Sequence, residues 1–177
     1  MGRAITTTDF EELYDATVRD VLAYARRRTS RDGEDLVAEV YAVAWRRRSD
    51  LPAPMLRRAW LFGVARNLLK ADGRQHRREG ELVSELAARP EPASQLTSSD
   101  RTARVMGEAL ERLAPTDREI LRLAAWESLT PAELAVALGI RPGTARVRLH
   151  RARQALASDP EVRALVQEPD QSFLTTS

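Results

Sequence analysis

Residues 139–156, GIRPGTARVRLHRARQAL, contain five arginines and one histidine but no acidic residue. A guanidinium group presents its donors in a rigid fork, which suits phosphate oxygens and the acceptor edge of guanine. This composition therefore indicates that the stretch binds a polyanion. The alternative is a solvated helix face without a partner. The positions of the arginines decide between the two interpretations.

Periodicity places these arginines on the outside of a helix. Ala145, Leu149, Ala152 and Leu156 recur at spacings of four, three and four, which aligns them along one face of an α-helix. Most of the basic residues fall away from this apolar stripe. Pro142 suits the first helical position, because its missing N–H would have no intrahelical partner there.

A shorter helix is predicted just before this one. Thr130 and Glu133 have the spacing of a capping box, Pro131 suits the first helical position, and Gly139 suits the end of the helix. Two helices joined by a short turn, the second exposing basic and small polar groups, are typical of a helix-turn-helix. Such a motif lays its second helix in the DNA major groove.

The whole chain favours an all-α fold. It has 177 residues, of which 43% are hydrophobic and 5% aromatic, and no run alternates as a strand would. We expect two small helical domains, a three- or four-helix bundle and a helix-turn-helix domain, joined by a flexible acidic linker. The helices are predicted at 9–28, 32–48, 56–78 and 101–113, then from Thr116 in a capping box with Glu119, with a helical turn at 162–166.

The linker is assigned to residues 79–100, where five acids face one arginine and two prolines interrupt the pattern. The predicted domains are then 1–78 and 101–157, followed by a tail at 158–177. A second loop is predicted at 49–55, which also contains two prolines. Within 56–78 a break is expected at Gly73.

The charge is divided unevenly along the chain. The net charge is only +2, yet residues 46–78 hold ten basic residues against two acids. Residues 141–153 hold five arginines and no acid, so the remainder is net acidic. Two basic segments in an acidic chain suggest two places that contact a polyanion, with acidic surfaces left for other partners.

Several classes of function are disfavoured by what the sequence lacks. There is no cysteine, the two histidines lie in separate segments, and no Gly-rich phosphate loop or Ser/His/Asp grouping occurs. We therefore expect no enzyme activity, no cofactor and no metal site. The N-terminus lacks an apolar signal-peptide core, and no run approaches the roughly 20 apolar residues of a membrane span. A cytoplasmic protein without membrane insertion is expected.

Three motifs in order resemble the bacterial RNA polymerase sigma factors of the sigma-70 family, specifically the extracytoplasmic-function (ECF) group. DGEDLVAEVYAVAWR at 32–46 resembles the core-binding helix of the family, and AWLFGVARNLL at 59–69 resembles its promoter-melting helix. LTPAELAVALGIRPGTARVRLHRAR at 129–153 resembles its reader of the upstream promoter element. The resemblance implies a non-catalytic initiation subunit that binds core polymerase, reads the minus 35 duplex, and melts and captures the minus 10 element.

The resemblance also implies a set of site residues. Contacts to the minus 35 element are expected from Arg141, Thr144, Arg146, Val147, Arg148, His150 and Arg151. Of these, Arg148 or Thr144 should read bases and Arg146 should hold phosphate. Contacts to the minus 10 element are expected from Arg58, Arg66, Asn67, Lys70 and Arg74, beside the base-capturing loop at 49–55. Core polymerase binding is expected from Asp35, Leu36, Glu39 and Val40, although Leu36 and Val40 have the spacing of core residues.

The implied partners are promoter DNA and the clamp and flap regions of core RNA polymerase. An anti-sigma factor is a further partner that is common in the family, although no residue pattern demands it. Three alternatives remain open at this point. The chain could be a dimeric helix-turn-helix repressor or activator, an enzyme such as a nuclease, or a sigma-like module that binds polymerase without opening promoters.

Overall fold

The computed structural model describes residues 5–29, 32–78 and 98–167, and this part of the chain is helical without strands. The all-α fold is therefore confirmed. A 3₁₀ turn at Pro54–Leu56 precedes the third of eight α-helices. The helices are α1 (Thr7–Arg26), α2 (Gly33–Arg46), α3 (Arg57–Arg78), α4 (Ser98–Arg112), α5 (Pro115–Trp126), α6 (Pro131–Leu138), α7 (Pro142–Ala157) and α8 (Pro160–Gln167).

The first three helices follow the predicted pattern, with small corrections at their ends. Helix α1 begins before Asp9 because Thr6 is the N-cap, and the Asp9 side chain completes the capping box. Asp32 caps α2 as predicted, since its carboxylate accepts from the Glu34 backbone N–H at 2.9 Å. Helix α3 runs through Gly73 to Arg78, so the expected break there was wrong.

Two predictions in the second half were also wrong. Helix α5 starts at Pro115 with Ala114 as N-cap, so Thr116 lies inside the helix and forms no capping box with Glu119. Pro115 favours the earlier start because it has no backbone N–H, so the first turn of α5 has one fewer donor that needs a side-chain cap. Helix α4 begins at Ser98, within the segment assigned to the linker. Residues 79–97 of that segment lie outside the described residues.

The first helical group packs α1, α2 and α3 around a core that includes Val21, Tyr24, Val40 and Phe62, all fully buried. The rings of Tyr24 and Phe62 lie 5.3 Å apart. One polar pair is buried nearby. Thr17 donates to the backbone carbonyl of Leu13 at 2.6 Å; therefore the Tyr41 hydroxyl, 2.8 Å away, donates to Thr17.

The second helical group packs α5, α6 and α7 around Ile120, Leu123, Leu134 and Ala145. Helices α4 and α8 pair through a small separate core that includes Val105, Ala109 and Val162. Ion pairs hold α4 and the start of α8 together. Arg112 donates to Asp159 at 2.8 and 2.9 Å and to Glu161 at 3.0 Å, and these bonds help to hold the pKa of Asp159 below its usual range.

The two groups meet where α3 crosses α6. A Cβ atom added at Gly63 would lie 3.0 Å from the Ala137 carbonyl oxygen, so only glycine allows the two backbones to approach this closely. The buried residues of both groups form one continuous apolar cluster. The division of the sequence into two domains stays a prediction.

We predict that alkaline pH destabilises this fold. Burial raises the pKa of Tyr24, and it raises the pKa of Tyr41 from 10.0 to about 12. Both phenols therefore stay neutral in the folded chain at a pH where they ionise in the unfolded chain. The corresponding stability is complete below pH 10.0 and falls as the pH rises from there towards 12.

Urea unfolding at about pH 8 and about pH 10.5 checks this, because the linkage predicts a lower midpoint at the higher pH. The variant Tyr41→Phe is the control. It removes one titrating phenol, so its midpoint should depend less on pH than that of the wild type. An equal pH dependence in both proteins would contradict the assignment for Tyr41.

Candidate nucleic-acid interface

The turn between α6 and α7 has the geometry of a helix-turn-helix. Thr130 and Glu133 form the predicted capping box at the start of α6, with the Thr130 N–H donating to the Glu133 carboxylate at 2.8 Å. Gly139 ends α6 in the left-handed conformation, at φ 64° and ψ 38°. The Ile140 N–H then donates to the Ala135 carbonyl at 2.9 Å. These contacts fix the angle at which α7 leaves the turn.

Helix α7 buries one face and exposes the other, as its sequence predicts. Ala145, Leu149 and Ala152 are buried against the second helical group. Arg148 is half-buried on the flank of the helix. The remaining predicted minus 35 residues are all exposed: Arg141, Thr144, Arg146, Val147, His150 and Arg151.

The charge on α7 is not neutralised by the part of the chain that the structure describes. Among the described residues, no carboxylate forms an ion pair or hydrogen bond with its arginines. Thr144, Val147, Arg148 and Arg151 line an open groove together with Asp117 of helix α5. A groove of arginines around one carboxylate can hold phosphates and offer an acceptor to a cytosine amino group. Asp117 is a residue that sequence reasoning missed, because it belongs to another helix.

The second basic surface lies on α3. Asn67, Lys70 and Arg74 are exposed, and their spacing of three and four places them on one face of the helix. This face offers two cations and one amide that can both donate and accept. Burial, then the neighbouring Arg66, lowers the pKa of Lys70, while Glu119 partly offsets this effect.

The other two predicted minus 10 residues are half-buried. Arg58 donates to Asp20 at 2.5 Å and to the backbone carbonyl of Glu127 at 2.9 Å. The Nε of Arg66 has no hydrogen-bond partner among the described residues. The structure therefore divides the predicted set of five into three exposed residues and two half-buried ones.

The loop before α3 is partly ordered by its own backbone. The Asp50 N–H donates to the Arg47 carbonyl at 2.8 Å, and Arg57 donates to the Pro52 carbonyl at 3.4 Å. Met55, on the 3₁₀ turn, is 79% exposed. An exposed apolar side chain beside a basic helix offers a surface on which an unstacked base can rest.

The predicted polymerase-binding residues on α2 separate into two pairs. Asp35 and Glu39 are exposed and line a shallow cleft. Leu36 and Val40 are buried in the core of the first helical group. The spacing of four between Leu36 and Val40, which is typical of core residues, therefore serves the packing of α2.

The described residues contain neither a metal-binding cluster nor a membrane-spanning helix. Within the ranges 5–29, 32–78 and 98–167, no group of His, Cys, Asp or Glu is arranged to hold a metal ion. The helices in these ranges include none that is long and apolar enough to cross a membrane.

Comparison with known proteins places this geometry in a family. The family model for sigma-70 region 4 matches residues 103–156, which include most of α4, all of α5 and α6, and nearly all of α7. The ECF RNA polymerase sigma factor SigL of Mycobacterium tuberculosis is 32% identical over 153 residues, covering 81% of this chain and 84% of SigL. The chain belongs to the ECF family of RNA polymerase sigma factors.

Two further relatives cover even more of this sigma factor. The RNA polymerase sigma-E factor of Streptomyces coelicolor is 30% identical over 168 residues, covering 90% of this chain and 93% of that protein. The sigma factor RpoE of Bartonella quintana, solved with the anti-sigma factor NepR, matches with a TM-score of 0.62 and 25% identity, covering 85% of this chain and 96% of RpoE. Membership of the family makes the chain a subunit that binds RNA polymerase and directs transcription from promoters.

The fold is also that of CnrH, which was solved with the cytosolic domain of CnrY. CnrH matches with a TM-score of 0.56 and covers 86% of this chain. Sigma factors are non-catalytic initiation subunits of RNA polymerase.

We predict that Gly139→Ala weakens DNA binding by this sigma factor because it strains the turn between α6 and α7. Open space surrounds the Cα of Gly139, so the added methyl group meets no neighbour. Its positive φ still penalises any residue with a Cβ atom, by about 1 to 2 kcal/mol. We expect a lower free energy of unfolding and a weaker affinity for duplex DNA.

Gly143→Ala is the matched control. Gly143 lies in the first turn of α7, where an added Cβ atom also meets no atom within 4 Å, and its φ is not positive. This variant should be as stable as the wild type or slightly more stable, because alanine favours a helix by about 1 kcal/mol over glycine. Chemical unfolding of both variants measures the difference, and equal stabilities would contradict the role of the turn.

Proposed function

We propose that this sigma factor reads the minus 35 element with α7 and melts and captures the minus 10 element with α3 and the loop that precedes it. The observation that carries the proposal is the presence of two separate basic surfaces on one chain. One lies on the exposed face of a helix-turn-helix, and the other on the face of α3 that bears Asn67, Lys70 and Arg74. A double-stranded element and a melted element require two such surfaces.

The side chains in and beside the groove of α7 differ in exposure, which supports different roles for them in DNA binding. Arg148 is half-buried beside Thr144, so fewer rotamers are open to it and it suits a bidentate contact to guanine. Arg146 is fully exposed on the flank and suits a backbone phosphate. Arg141, at the N-cap of α7, suits a phosphate at the end of the groove. Val147 can contact a thymine methyl group, and His150 and Arg151 add phosphate contacts.

For core polymerase, we propose that the acidic face of α2 with Asp35 and Glu39 binds the clamp, while Leu36 and Val40 hold this helix in place from the core. The helix-turn-helix domain would contact the flap. An anti-sigma factor is a further proposed partner, supported by the structure of the RpoE relative with NepR. The cytoplasm is the compartment where such partners would meet the chain.

A dimeric repressor is the less favoured reading of the same helix-turn-helix. That class reads two half-sites with two copies of the recognition helix. It leaves the basic face of α3 without a role.

Run-off transcription tests the proposal. Purified core polymerase is incubated with and without the chain on a fragmented genomic library, and the transcript starts are sequenced. Starts that depend on the chain and share two spaced upstream elements support it. Arg148→Ala should relax selection at the upstream element by about tenfold or more, as expected for loss of one bidentate contact worth about 1 to 3 kcal/mol.

Arg163→Ala is the control, because Arg163 is an exposed arginine on α8, away from both basic surfaces. It should leave start selection unchanged. If no new starts appear while the chain binds duplex fragments that carry a palindrome, the repressor reading replaces the proposal.

We also predict that Asp35→Ala combined with Glu39→Ala weakens binding to core polymerase by about tenfold, the range seen when rim charges of a steered interface are removed. Duplex DNA binding by the same variant should be unchanged. Titration of labelled sigma factor with core polymerase measures this. The double variant Glu108→Ala, Glu111→Ala removes two exposed carboxylates from α4 and is the control. Equal affinities for the two variants would refute the role of α2.

A further inference from the structure

Glu127, which directly follows α5 in the second helical group, buries its side chain against the first helical group. Glu127 is 2% exposed, although glutamate is almost never buried without partners. It follows directly after α5, where it is the C-cap, and the next residue, Ser128, has a positive φ of 54°. This backbone turn directs Glu127 into the first helical group.

Three arginines of the first helical group surround Glu127, and we call Arg27, Arg28 and Arg58 the arginine pocket. Arg27 donates to both carboxylate oxygens of Glu127, at 2.9 and 2.8 Å. Arg28 donates to one of them at 3.2 Å. Arg58 donates to the backbone carbonyl of the same residue at 2.9 Å. One residue of the second group thus receives four hydrogen bonds from three cations of the first.

The pocket holds more donors than Glu127 can use. The Arg28 side chain is only 8% exposed, and its Nε and Nη2 have no hydrogen-bond partner among the described residues. Its guanidinium lies 3.8 Å from the centre of the Tyr24 ring, which holds it in place. Buried donors are normally satisfied, so the pocket is built for an anion with more acceptor oxygens than one carboxylate has.

A second glutamate, Glu119 of α5, also faces cations of the first helical group. Glu119 accepts from the Tyr24 hydroxyl at 3.3 Å and lies 3.6 Å from Arg28 Nε. It also acts on Lys70, whose pKa it raises against the effects of burial and of Arg66. Helix α5 therefore sets two acids against the side of the first helical group that carries Arg28 and Lys70.

We propose that the arginine pocket is a binding site for a backbone phosphate of DNA, and that Glu127 occupies this site in the free chain in place of the phosphate. The inference rests on the proposed function, because it assigns the DNA to the strand held along α3. Binding of DNA in the pocket and the packing of the two helical groups then exclude each other. The structure described here is the closed, self-inhibited form.

A phosphate fits this pocket better than a carboxylate from a partner protein. Its additional oxygens can accept from Nη2 of Arg28, which has no hydrogen-bond partner among the described residues, and arginine forks bind phosphate bidentately. Through Arg58 the pocket also shares α3 with the exposed cations Lys70 and Arg74.

Closure leaves the other basic surface free. Helix α7 keeps six of its seven predicted contact residues exposed in the closed form. The closed chain therefore retains access to duplex DNA through α7, while the arginine pocket is occupied by Glu127. Initiation would require the two helical groups to separate.

The distance between the two groups gives a direct test. The chain has no cysteine, so Ala16→Cys and Ala155→Cys place one dye on α1 and one on α7 at exposed positions. We expect high energy transfer in the full-length chain. Glu127→Gln should lower it, because a neutral amide weakens all the charge-assisted bonds at once. Glu108→Gln removes one exposed carboxylate from α4 and should leave the transfer unchanged.

Gly63→Ala opens the interface without a change of charge. Its methyl group would press on the Ala137 carbonyl across the α3–α6 crossing, while alanine favours helix α3 itself. We expect lower energy transfer from this variant as well. If Glu127→Gln and Gly63→Ala both leave the transfer unchanged, the closed form does not depend on these contacts and the proposal fails.

Affinity for a labelled single-stranded DNA oligonucleotide of mixed sequence tests the phosphate site. Both opened variants should bind at least about threefold more tightly than the wild type, as expected when the competent form is no longer a minor population. In the Glu127→Gln background, Arg27→Ala with Arg28→Ala should reduce the slope of log affinity against log salt by about 0.7, the value for one phosphate on a single strand.

The remaining outcomes separate the two proposals. If the opened variants bind core polymerase more tightly but single-stranded DNA no more tightly, the pocket takes an acidic protein surface and the phosphate assignment is overturned. If neither the wild type nor the opened variants give dependent transcript starts while the opened variants still gain affinity for single-stranded DNA, the proposed function fails and the phosphate site stands.

Discussion

The contact between Glu127 and the arginines of the first helical group is the interaction on which the arrangement of the whole chain depends. A carboxylate that is 2% exposed loses most of its hydration, and only close cations with good hydrogen-bond geometry compensate for that loss. Nη2 of Arg27 donates to both carboxylate oxygens. Breaking a buried pair by removing one partner costs about 3 to 5 kcal/mol, a large fraction of the stability of a small domain. The packing of α3 on α6 is therefore tied to one acid.

The apolar contacts around this acid are of a different kind. Gly63 brings two helix backbones together, and the clusters of both groups merge into one core. Apolar burial is strong but is less selective for one relative orientation than a hydrogen-bonded ion pair. The polar contacts thus explain why the groups meet in this register, and the apolar contacts explain why they adhere.

The distribution of charge links this arrangement to promoter binding. The cations of α7 have no carboxylate partner among the described residues, whereas Arg58 of α3 is engaged by Asp20 and by the Glu127 carbonyl. The arginines of α7 and Arg58 are thus in different states in the same structure. The difference follows from which helix faces α5, and not from the composition of either segment.

Local signals in the sequence determined the all-α fold, the helix-turn-helix and the exposed face of α7, because helical periodicity and caps act over a few residues. They failed at Thr116, where Pro115 took the helix start, and they left Leu36 and Val40 undecided between core and contact surface. Tertiary structure alone decided the rest. Glu127 lies about a hundred positions from Arg27 and Arg28, and no periodicity connects residues at that separation. Whether a charged residue is solvated, paired or buried depends on the elements packed against it, which only the folded chain brings together.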